Sequence, residues 1–583
     1  MKKTMDRSYR NAYTTAFFLR SSSMMTGFID GVLTSAFLGV EAMSAYGIST
    51  PYFMLNNLLS NTMITGCQIL CTSKIGKNRT DEAEHIFSTA LWILLALSAL
   101  LGTVGILFVE PFAVFLGAKG EAAHLAPLAA GYLVYLFIGS IFHNFSSITS
   151  GVLQMDGGAK IVRTAGITVC VVDIAGDLLN VFVFKGGLAG MGLATTLSYI
   201  SSVIMLLPYF FKKKKLFTPT PKQIRLRYVP DLLRQGSSQT VYGIASFFGN
   251  TAINRIIIAK AGLDVMFGTT VFKNFALFMN PFCVAVGDAT LILMGLRIGD
   301  GDREGVNRIF REALKSILRI LPLGLLVILL SRPLAQLYTA DSAETAIRHA
   351  STAVIALGIQ LPFTALFLAT VKGLQAFQKS TACSIMNLAK ACVFPCGLLL
   401  IFASTKTVGA FGALAAAEIL AAVLTAILFL KEKRKSPLLM IPEGNIINAD
   451  VSTVAEAVGF SELTAAFCRK KGMNSKLCCF IPLCAEELSI CMINQGIEHN
   501  VKDPSVHVKI LLRDRNLTVS FRDNSPLNDL QKRAEEWSLH DERPERFIGT
   551  RMALKLADEF RYIPLMDQNN TIITFYLSEG EAI

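Results

Sequence analysis

Long apolar runs recur along most of this chain, and they constrain its fold more than any other feature. The hydrocarbon core of a bilayer is about 30 Å thick, so a helix needs some 20 predominantly apolar residues to cross it. Twelve segments reach this length: 13–38, 44–70, 85–108, 126–154, 163–184, 188–211, 230–260, 264–294, 314–331, 349–371, 382–403 and 409–430. The sequence therefore predicts an all-α polytopic membrane protein of twelve transmembrane helices, followed by a small cytoplasmic α/β domain.

The composition and the placement of charge agree with this interpretation. The 583 residues are 52% hydrophobic and only 17% charged, which excludes a purely soluble enzyme, a disordered chain and a secreted disulfide scaffold. The net charge of +12 comes from basic residues concentrated in alternate loops, so it predicts cytoplasmic termini and requires no nucleic-acid partner. The twelve cysteines show no metal-binding spacing, and we expect them to be reduced and to hold no metal.

The chain repeats itself. Residues 75–91 (IGKNRTDEAEHIFSTAL) resemble residues 298–314 (IGDGDREGVNRIFREAL), and GVLQ at 151–154 resembles KGLQ at 372–375, at a nearly constant offset. Two parallel six-helix halves predict a transporter with its substrate site between them. The predicted boundaries are an N-lobe at 1–211, a cytoplasmic linker at 212–227, a C-lobe at 228–435 and the cytoplasmic domain at 440–583.

Three acids lie inside predicted spans of the first half. Asp30 is in span 1, and Asp173 and Asp177 share one face of span 5 because they are one helical turn apart. The repeat places Ile253, Phe394 and Leu398 at the matching positions, so the scaffold does not require the carboxylates. Buried carboxylates this close need a cation between them, or one must keep a proton. Thr195 in span 6 could add a hydroxyl ligand. The alternative is that the acids are capped by neighbouring polar side chains or paired with Arg20.

The second half carries its own polar groups inside spans. Lys390 is near the middle of a span, and we consider it, with Arg255 and Gln239, a candidate for contact with substrate. The alternative is an ion pair between Lys390 and Asp288 or Glu418.

Residues 10–435 resemble the multidrug and toxic compound extrusion (MATE) family. The resemblance rests on IDGVLTSAFLG in span 1, SKIGKNRTDEAE after span 2, GVLQMDGGAK after span 4, VVDIAGDLLNVFVF in span 5 and GLAGMGLATTLSY in span 6. It implies two six-helix lobes that exchange substrate for sodium or protons by alternating access. It also implies a cation site at Asp30, Asp173, Asp177 and Thr195. One branch of the family has Asn where this chain has Asp173, so the choice between Na⁺ and H⁺ stays open.

The C-terminal region resembles a GHKL ATPase domain of the anti-sigma-factor-kinase type in LCAEELSICMINQGIEHN, VSFRDNSPLND and FIGTRMALKLADEFRY. Glu487, Asp523 and Gly549 match nucleotide-binding positions of that family. Cys491 stands where the family has its magnesium-binding Asn, and the glycine-rich phosphate lid is depleted. We therefore expect a degenerate regulatory or docking module with weak or no ATP binding.

The sequence favours a cation-coupled antiporter that exports small organic, for example cationic drug-like, compounds and is not an enzyme. It needs no cofactor beyond the coupling ion. We expect a monomer in a bacterial plasma membrane, with a cytoplasmic regulatory protein as a partner of the C-terminal domain. Two alternatives stay open: a flippase for lipid-linked sugars from the same superfamily, and a membrane sensor with a kinase-like output domain.

Overall fold

The computed structural model describes most of the chain as two compact units. The described residues are 2–116, 118, 120–211, 215–336, 344–403, 406–436, 443–513, 516–526, 528–530, 548–563 and 568–577. The first unit contains Tyr9–Gln154 and Gly158–Leu439. The second contains Met440–Ile583 with two short segments, Met1–Ser8 and Met155–Gly157.

The first unit is built from helices. In chain order they are α1 (Lys2–Leu33), α2 (Gly39–Gly76), α3 (Thr80–Leu107), α4 (Val109–Leu116), α5 (Ala126–Leu153), α6 (Ala159–Leu179), α7 (Gly187–Phe210), α8 (Val229–Ala261), α9 (Leu263–Gly299), α10 (Arg303–Leu329), α11 (Ser331–Gln336), α12 (Glu344–Ala376), α13 (Ser380–Leu388), α14 (Phe394–Phe402) and α15 (Lys406–Lys435). Short π-helical segments follow α1, α6 and α13 at Thr34–Leu38, Asn180–Phe184 and Ala389–Val393.

All twelve predicted spans coincide with long helical segments. Nine helical segments among the described residues are long and apolar enough to cross a membrane, and eight of them lie in the first unit. The ninth, Ser475–Glu498, belongs to the second unit. The chain is therefore a multi-pass membrane protein. Membrane crossing by α1, α2, α8 and α10, which carry more polar or charged residues, stays a prediction.

The repeat seen in the sequence recurs in the backbone. Gly39 and Gly262, at matching positions of the repeat, share positive φ angles of 86° and 94° with extended ψ angles, a conformation open essentially to glycine alone. Asn78 and Gly301 also match, and both are left-handed. Gly157 and Gln378, a third matching pair, are left-handed as well. The two halves therefore turn between helices at matching places.

Backbone contacts between α2 and the pair α8 and α9 are very close at the helix ends next to the basic loops. A Cβ atom on Gly66 would lie 2.2 Å from the carbonyl oxygen of Leu232, and one on Gly236 would lie 2.0 Å from that of Thr62. Towards the opposite end, Gly47 and Gly262 would meet nothing within 4 Å. The two halves are thus packed together at the end that carries the basic loops.

The segment between the halves is fixed to α3 over its described part. Phe217 is fully buried and packs on the ring of Phe87. Ser88 donates a hydrogen bond of 2.8 Å to the Thr218 carbonyl, and the Arg225 backbone N–H donates one of 2.9 Å to Thr89. Residues 212–214 of the predicted linker lie outside the described residues.

The second unit is an α/β fold. Its strands are β1 (Ile446–Val451), β2 (Val506–Arg513), β3 (Asn516–Asp523), β4 (Glu559–Tyr562) and β5 (Asn569–Tyr576), and its helices are α16 (Val454–Lys470), α17 (Ser475–Glu498) and α18 (Ile548–Leu556). The antiparallel sheet has the order β1-β2-β3-β5-β4. Apolar side chains of α16 and α17 share one core with the alternating apolar residues of the central strands.

The sequence predicts most of this unit's elements, although β1 has no counterpart among them. The alternating runs VHVKILLR (506–513) and NLTVSFRD (516–523) predict a hairpin. They form the antiparallel strands β2 and β3, while the turn predicted at Asp514 and Arg515 lies outside the described residues. The sequence also predicts a helix near 549–560, but this helix ends at Leu556 and Glu559–Tyr562 form β4 instead. This short segment pairs with β5, so backbone pairing with a neighbouring strand overrides the local helical pattern.

Candidate functional site

Three buried carboxylates form a cluster in the first half of the membrane unit. One oxygen from each of Asp30, Asp173 and Asp177 lies within 4.8 Å of the others, and the three residues are at most 7% exposed. Both oxygens of Asp173, both of Asp177 and Oδ1 of Asp30 form no hydrogen bond. Buried polar groups are almost always satisfied, so these five oxygens, which have no hydrogen-bonding partner among the described residues, are unusual.

Packing of α6 on α7 positions the cluster. Asp173 and Asp177 lie one turn apart on α6, and between them Gly176 touches α7, where a Cβ atom would lie 2.8 Å from that of Ala194. The hydroxyl of the adjacent Thr195 lies near Asp173. It donates a 3.2 Å hydrogen bond to its own helix, at the Met191 carbonyl. The Thr195 oxygen therefore keeps its lone pairs available for a cation.

Arg20 does not neutralise this cluster. Its Nε and Nη2 atoms donate hydrogen bonds of 3.1 and 2.9 Å to Oδ2 of Asp288, on α9. Lys372 lies 3.6 Å from the other oxygen of Asp288. The alternative in which Arg20 pairs with these acids is therefore wrong. The arrangement of the cluster suits a hard cation or a shared proton, because three carboxylates in a low-dielectric site repel one another.

A large cavity lies between the two halves of the membrane unit. Its volume is about 810 Å³, and it is lined by residues of α1, α2, α8, α9 and α12 together with the segment after α13. Cavities of roughly 300–1,000 Å³ suit drug-sized ligands. The Arg20 and Asp288 pair lies on its wall and also borders a smaller cavity of about 320 Å³ lined by several hydroxyl groups.

The structure places two of the three candidate substrate residues on the wall of the large cavity. Lys390 and Gln239 line the large cavity. The Lys390 ammonium lies 3.0 Å from Glu418 and 4.6 Å from the ring centroid of Phe367. Arg255 is exposed and is not among the residues that line the cavity. Of the two partners considered for Lys390, the structure selects Glu418.

In the second unit the nucleotide-site candidates lie on three elements. Glu487 is exposed on α17, Gly549 lies in the first turn of α18, and Asp523 ends β3 and is buried. Oδ1 of Asp523 accepts hydrogen bonds from the Ser525 backbone N–H (2.9 Å) and from the Asn569 amide (2.8 Å). Burial raises the pKa of Asp523, whereas the hydrogen bonds from Ser525 and Asn569 act in the opposite direction.

Sequence reasoning missed Lys372 because it follows the predicted span and resembles one more basic residue of a cytoplasmic loop. In the structure it lies inside α12, is 8% exposed and faces Asp288. A signal was present, because Lys372 lies in the repeated KGLQ motif where the first half has uncharged GVLQ. The pairing of Arg20 with Asp288, which lies in the other half of the chain, had no local signal.

Comparison with known proteins identifies relatives of the membrane unit. Residues 16–179 match the MatE family model. The multidrug export protein MepA of Staphylococcus aureus is 23% identical over 188 residues, which are 32% of this chain and 41% of MepA. The match therefore spans less than half of that relative. The probable multidrug resistance protein NorM of Thermotoga maritima is 23% identical over 331 residues, 53% of this chain and 68% of NorM.

A solved structure shows the same fold. It is described as the outward-facing conformation of a multidrug resistance MATE family transporter of the MOP superfamily. It superimposes with a TM-score of 0.68 at 19% identity, covering 74% of this chain and 96% of the other. The family match lies in the half that holds Asp30, Asp173 and Asp177, and the fold match extends over most of the chain. The chain therefore carries a MatE segment at residues 16–179, and its membrane unit has the fold of MATE transporters.

Proposed function

We propose that this protein is a cation-coupled antiporter that exports small organic compounds by alternating access. The observation that carries the proposal is the cluster of Asp30, Asp173 and Asp177, which is buried and closely spaced. Among the described residues, five of its six carboxylate oxygens form no hydrogen bond. Such a group of carboxylates binds Na⁺ or H⁺, because either ion relieves the repulsion among them. The relatives MepA and NorM carry names that refer to multidrug export and resistance.

Coupling requires that ion and substrate favour different conformations of the same molecule. The cluster lies within the first half, whereas the large cavity is lined from both halves. A cation at the cluster therefore favours one packing of α1 against α6 and α7, and a ligand in the cavity favours one spacing of the two halves. Exchange of one for the other drives transport without any covalent step.

The decisive test uses purified full-length protein in proteoliposomes with an imposed sodium or pH gradient and a fluorescent dye as cargo. We expect dye movement that depends on one of these gradients. Asp177→Asn should reduce gradient-driven transport at least tenfold, because one of the three ligands loses its charge. The matched control is Asp231→Asn, which removes an exposed acid from the first turn of α8. Full coupled transport by the Asp177→Asn variant would reject the proposal.

One observation favours a second candidate, a flippase for lipid-linked sugars. Arg20, Lys372 and Lys390 all line the cavity and could receive a phosphate group. The same vesicles loaded with a fluorescent lipid-linked sugar distinguish the two functions. Movement of the lipid between leaflets, without export of soluble dyes, would select the flippase.

We propose further that the second unit regulates the transporter through a protein partner and binds ATP weakly or not at all. Asp523, which matches a nucleotide-binding position of the GHKL family, already accepts hydrogen bonds from Ser525 and Asn569. Calorimetric titration of the full-length chain with ATP and magnesium tests this assignment. Tight binding would support a sensor with a kinase-like output instead.

A further inference from the structure

The charges that line the large cavity do not balance. Among the described residues its wall carries three basic side chains, Arg20, Lys372 and Lys390, and one acid, Asp288. Glu418 neutralises Lys390 at 3.0 Å. Asp288 is then the one described acid of the wall that is left for both Arg20 and Lys372. The three basic side chains therefore carry one more positive charge than Asp288 and Glu418 neutralise.

The geometry shows where this charge is available. Arg20 holds Oδ2 of Asp288 with two hydrogen bonds. The Lys372 ammonium is 3.6 Å from Oδ1, beyond normal hydrogen-bond distance. Lys372 is 8% exposed, and its ammonium shares the Asp288 carboxylate with Arg20, so its incomplete neutralisation is costly in a low-dielectric wall. A ligand anion that reached Lys372 would remove this cost.

The rest of the cavity suits an amphipathic molecule. Aromatic and aliphatic side chains such as Tyr242, Phe247 and Met54 line it, together with amides such as Asn57 and Gln375. The apolar side chains can cover a hydrophobic body, and the amides can orient polar substituents. A permanent cation, in contrast, would enter a site that already carries excess positive charge.

We propose that the cavity recognises an amphipathic organic anion whose carboxylate, sulfonate or phosphate group binds between Lys372 and Arg20. This inference rests on the proposed export function, because it names the class of compound that the same cavity carries. It replaces the expectation of cationic cargo. The anion comes either from a free organic acid or from a lipid headgroup.

The test is a binding measurement, so it does not depend on transport. Full-length protein in nanodiscs of zwitterionic lipid is titrated with fluorescein, an anionic dye, and with rhodamine 6G, a cation with the same xanthene body, and anisotropy is followed. We expect fluorescein to bind at least tenfold more tightly. Lys372→Met should weaken fluorescein binding about tenfold or more, whereas Lys372→Arg should keep it within about threefold.

The control is Lys379→Met, which removes a half-exposed lysine paired with Glu432 at 2.8 Å and not among the residues that line the cavity. It should leave both affinities unchanged. Repeating the titration in nanodiscs with anionic phospholipid separates the two sources. Displacement of fluorescein assigns the site to a headgroup, and its absence assigns the site to a free organic anion.

Tighter binding of rhodamine 6G, or an unchanged fluorescein affinity in Lys372→Met, would overturn the anion assignment. Neither result would affect the coupling proposal, which depends on Asp177. Conversely, if the protein binds the anion but shows no gradient-driven transport, the assignment of the ligand class stands and the antiporter proposal is rejected.

Discussion

At the scale of single residues, the acids inside the membrane unit differ in whether they contact a basic side chain. Lys390 has Glu418, and Asp288 has both Arg20 and Lys372, so each of these acids contacts a base. The cluster of Asp30, Asp173 and Asp177 has neither an ion pair nor a full set of hydrogen bonds. Within the described part of the membrane unit, these acids therefore depart from the rule that buried charges are paired, and they form the proposed ion site.

Asp523 provides a test at the same scale. Asn569→Ala removes a 2.8 Å hydrogen bond to this buried carboxylate, which should lower the local opening free energy of β3 by about 1–3 kcal/mol. Hydrogen exchange of β3 peptides in the full-length protein measures the change. Asn516→Ala, an exposed position at the start of β3, should have little effect. Equal protection in the two variants would contradict the role of Asn569.

The pH dependence has a defined sign. Burial raises the pKa of Asp523 above its ordinary value of 3.8, so the folded protein keeps a proton that the unfolded chain releases. Stability of β3 should therefore be greatest below about pH 4 and fall as the pH rises through the raised pKa. Asp523→Asn should remove this fall, and a fall that persisted in this variant would assign it to another group.

At the scale of helices, glycine decides how closely α2 and α8 approach. Gly66 on α2 meets the Leu232 carbonyl, and Gly236 on α8 meets that of Thr62, so each helix places a glycine against the backbone of the other. Small residues allow such backbone contact in membrane helices. The paired contacts at the basic-loop end hold the two halves together in this conformation.

Gly66→Ala should therefore separate α2 from α8 at that end. The new methyl carbon would lie 2.2 Å from backbone that cannot move independently of its helix. Spin labels on the two helices, read by double electron–electron resonance in the full-length protein, should show a longer or broader distance distribution. Gly47→Ala is the control, since a Cβ atom there meets nothing within 4 Å. Identical distance distributions for the two variants would mean that Gly66 does not determine how closely α2 and α8 approach.

At the scale of the whole membrane unit, the two proposed sites, the carboxylate cluster and the cavity, share a helix. Asp30 and Arg20 both lie on α1, so one helix contributes to both sites. Arg20 also joins α1 to α9 of the second half through Asp288. A shift of α1 on cation binding would therefore move Arg20 relative to Asp288 and to Lys372, and Arg20 and Lys372 are the side chains proposed to bind the anion in the cavity wall.

Two-site coupling must be reciprocal. If Na⁺ or H⁺ weakens dye binding in the cavity by a factor within the usual range of about 5–150, the dye must weaken cation binding by the same factor. Anisotropy titrations with and without the ion, and calorimetry with and without the dye, measure the two factors. Asp177→Asn should abolish both effects. A dye affinity independent of Na⁺ and pH would exclude coupling between these sites.

Sequence reasoning worked best where the signal is local. Apolar run length marked every long helix of the membrane unit, because a bilayer requires an uninterrupted apolar stretch. The spacing of Asp173 and Asp177 placed them on one helix face, because α-helical periodicity does so directly. Strand β4 was missed, since Glu559–Tyr562 form a very short segment that depends on β5 for pairing.

The sequence by itself determined that this is a multi-pass membrane protein with an internal repeat and with Asp30, Asp173 and Asp177 in one half only, because run length, repeat offsets and single residues are properties of the linear chain. The tertiary structure alone decided which charges meet. It paired Arg20 with Asp288 and placed Lys372 in the cavity wall. It also brought three carboxylates together with five of their oxygens unbonded by any described residue. These contacts join residues far apart in the chain, and the packing of helices, which no local pattern encodes, sets the distances between their charges.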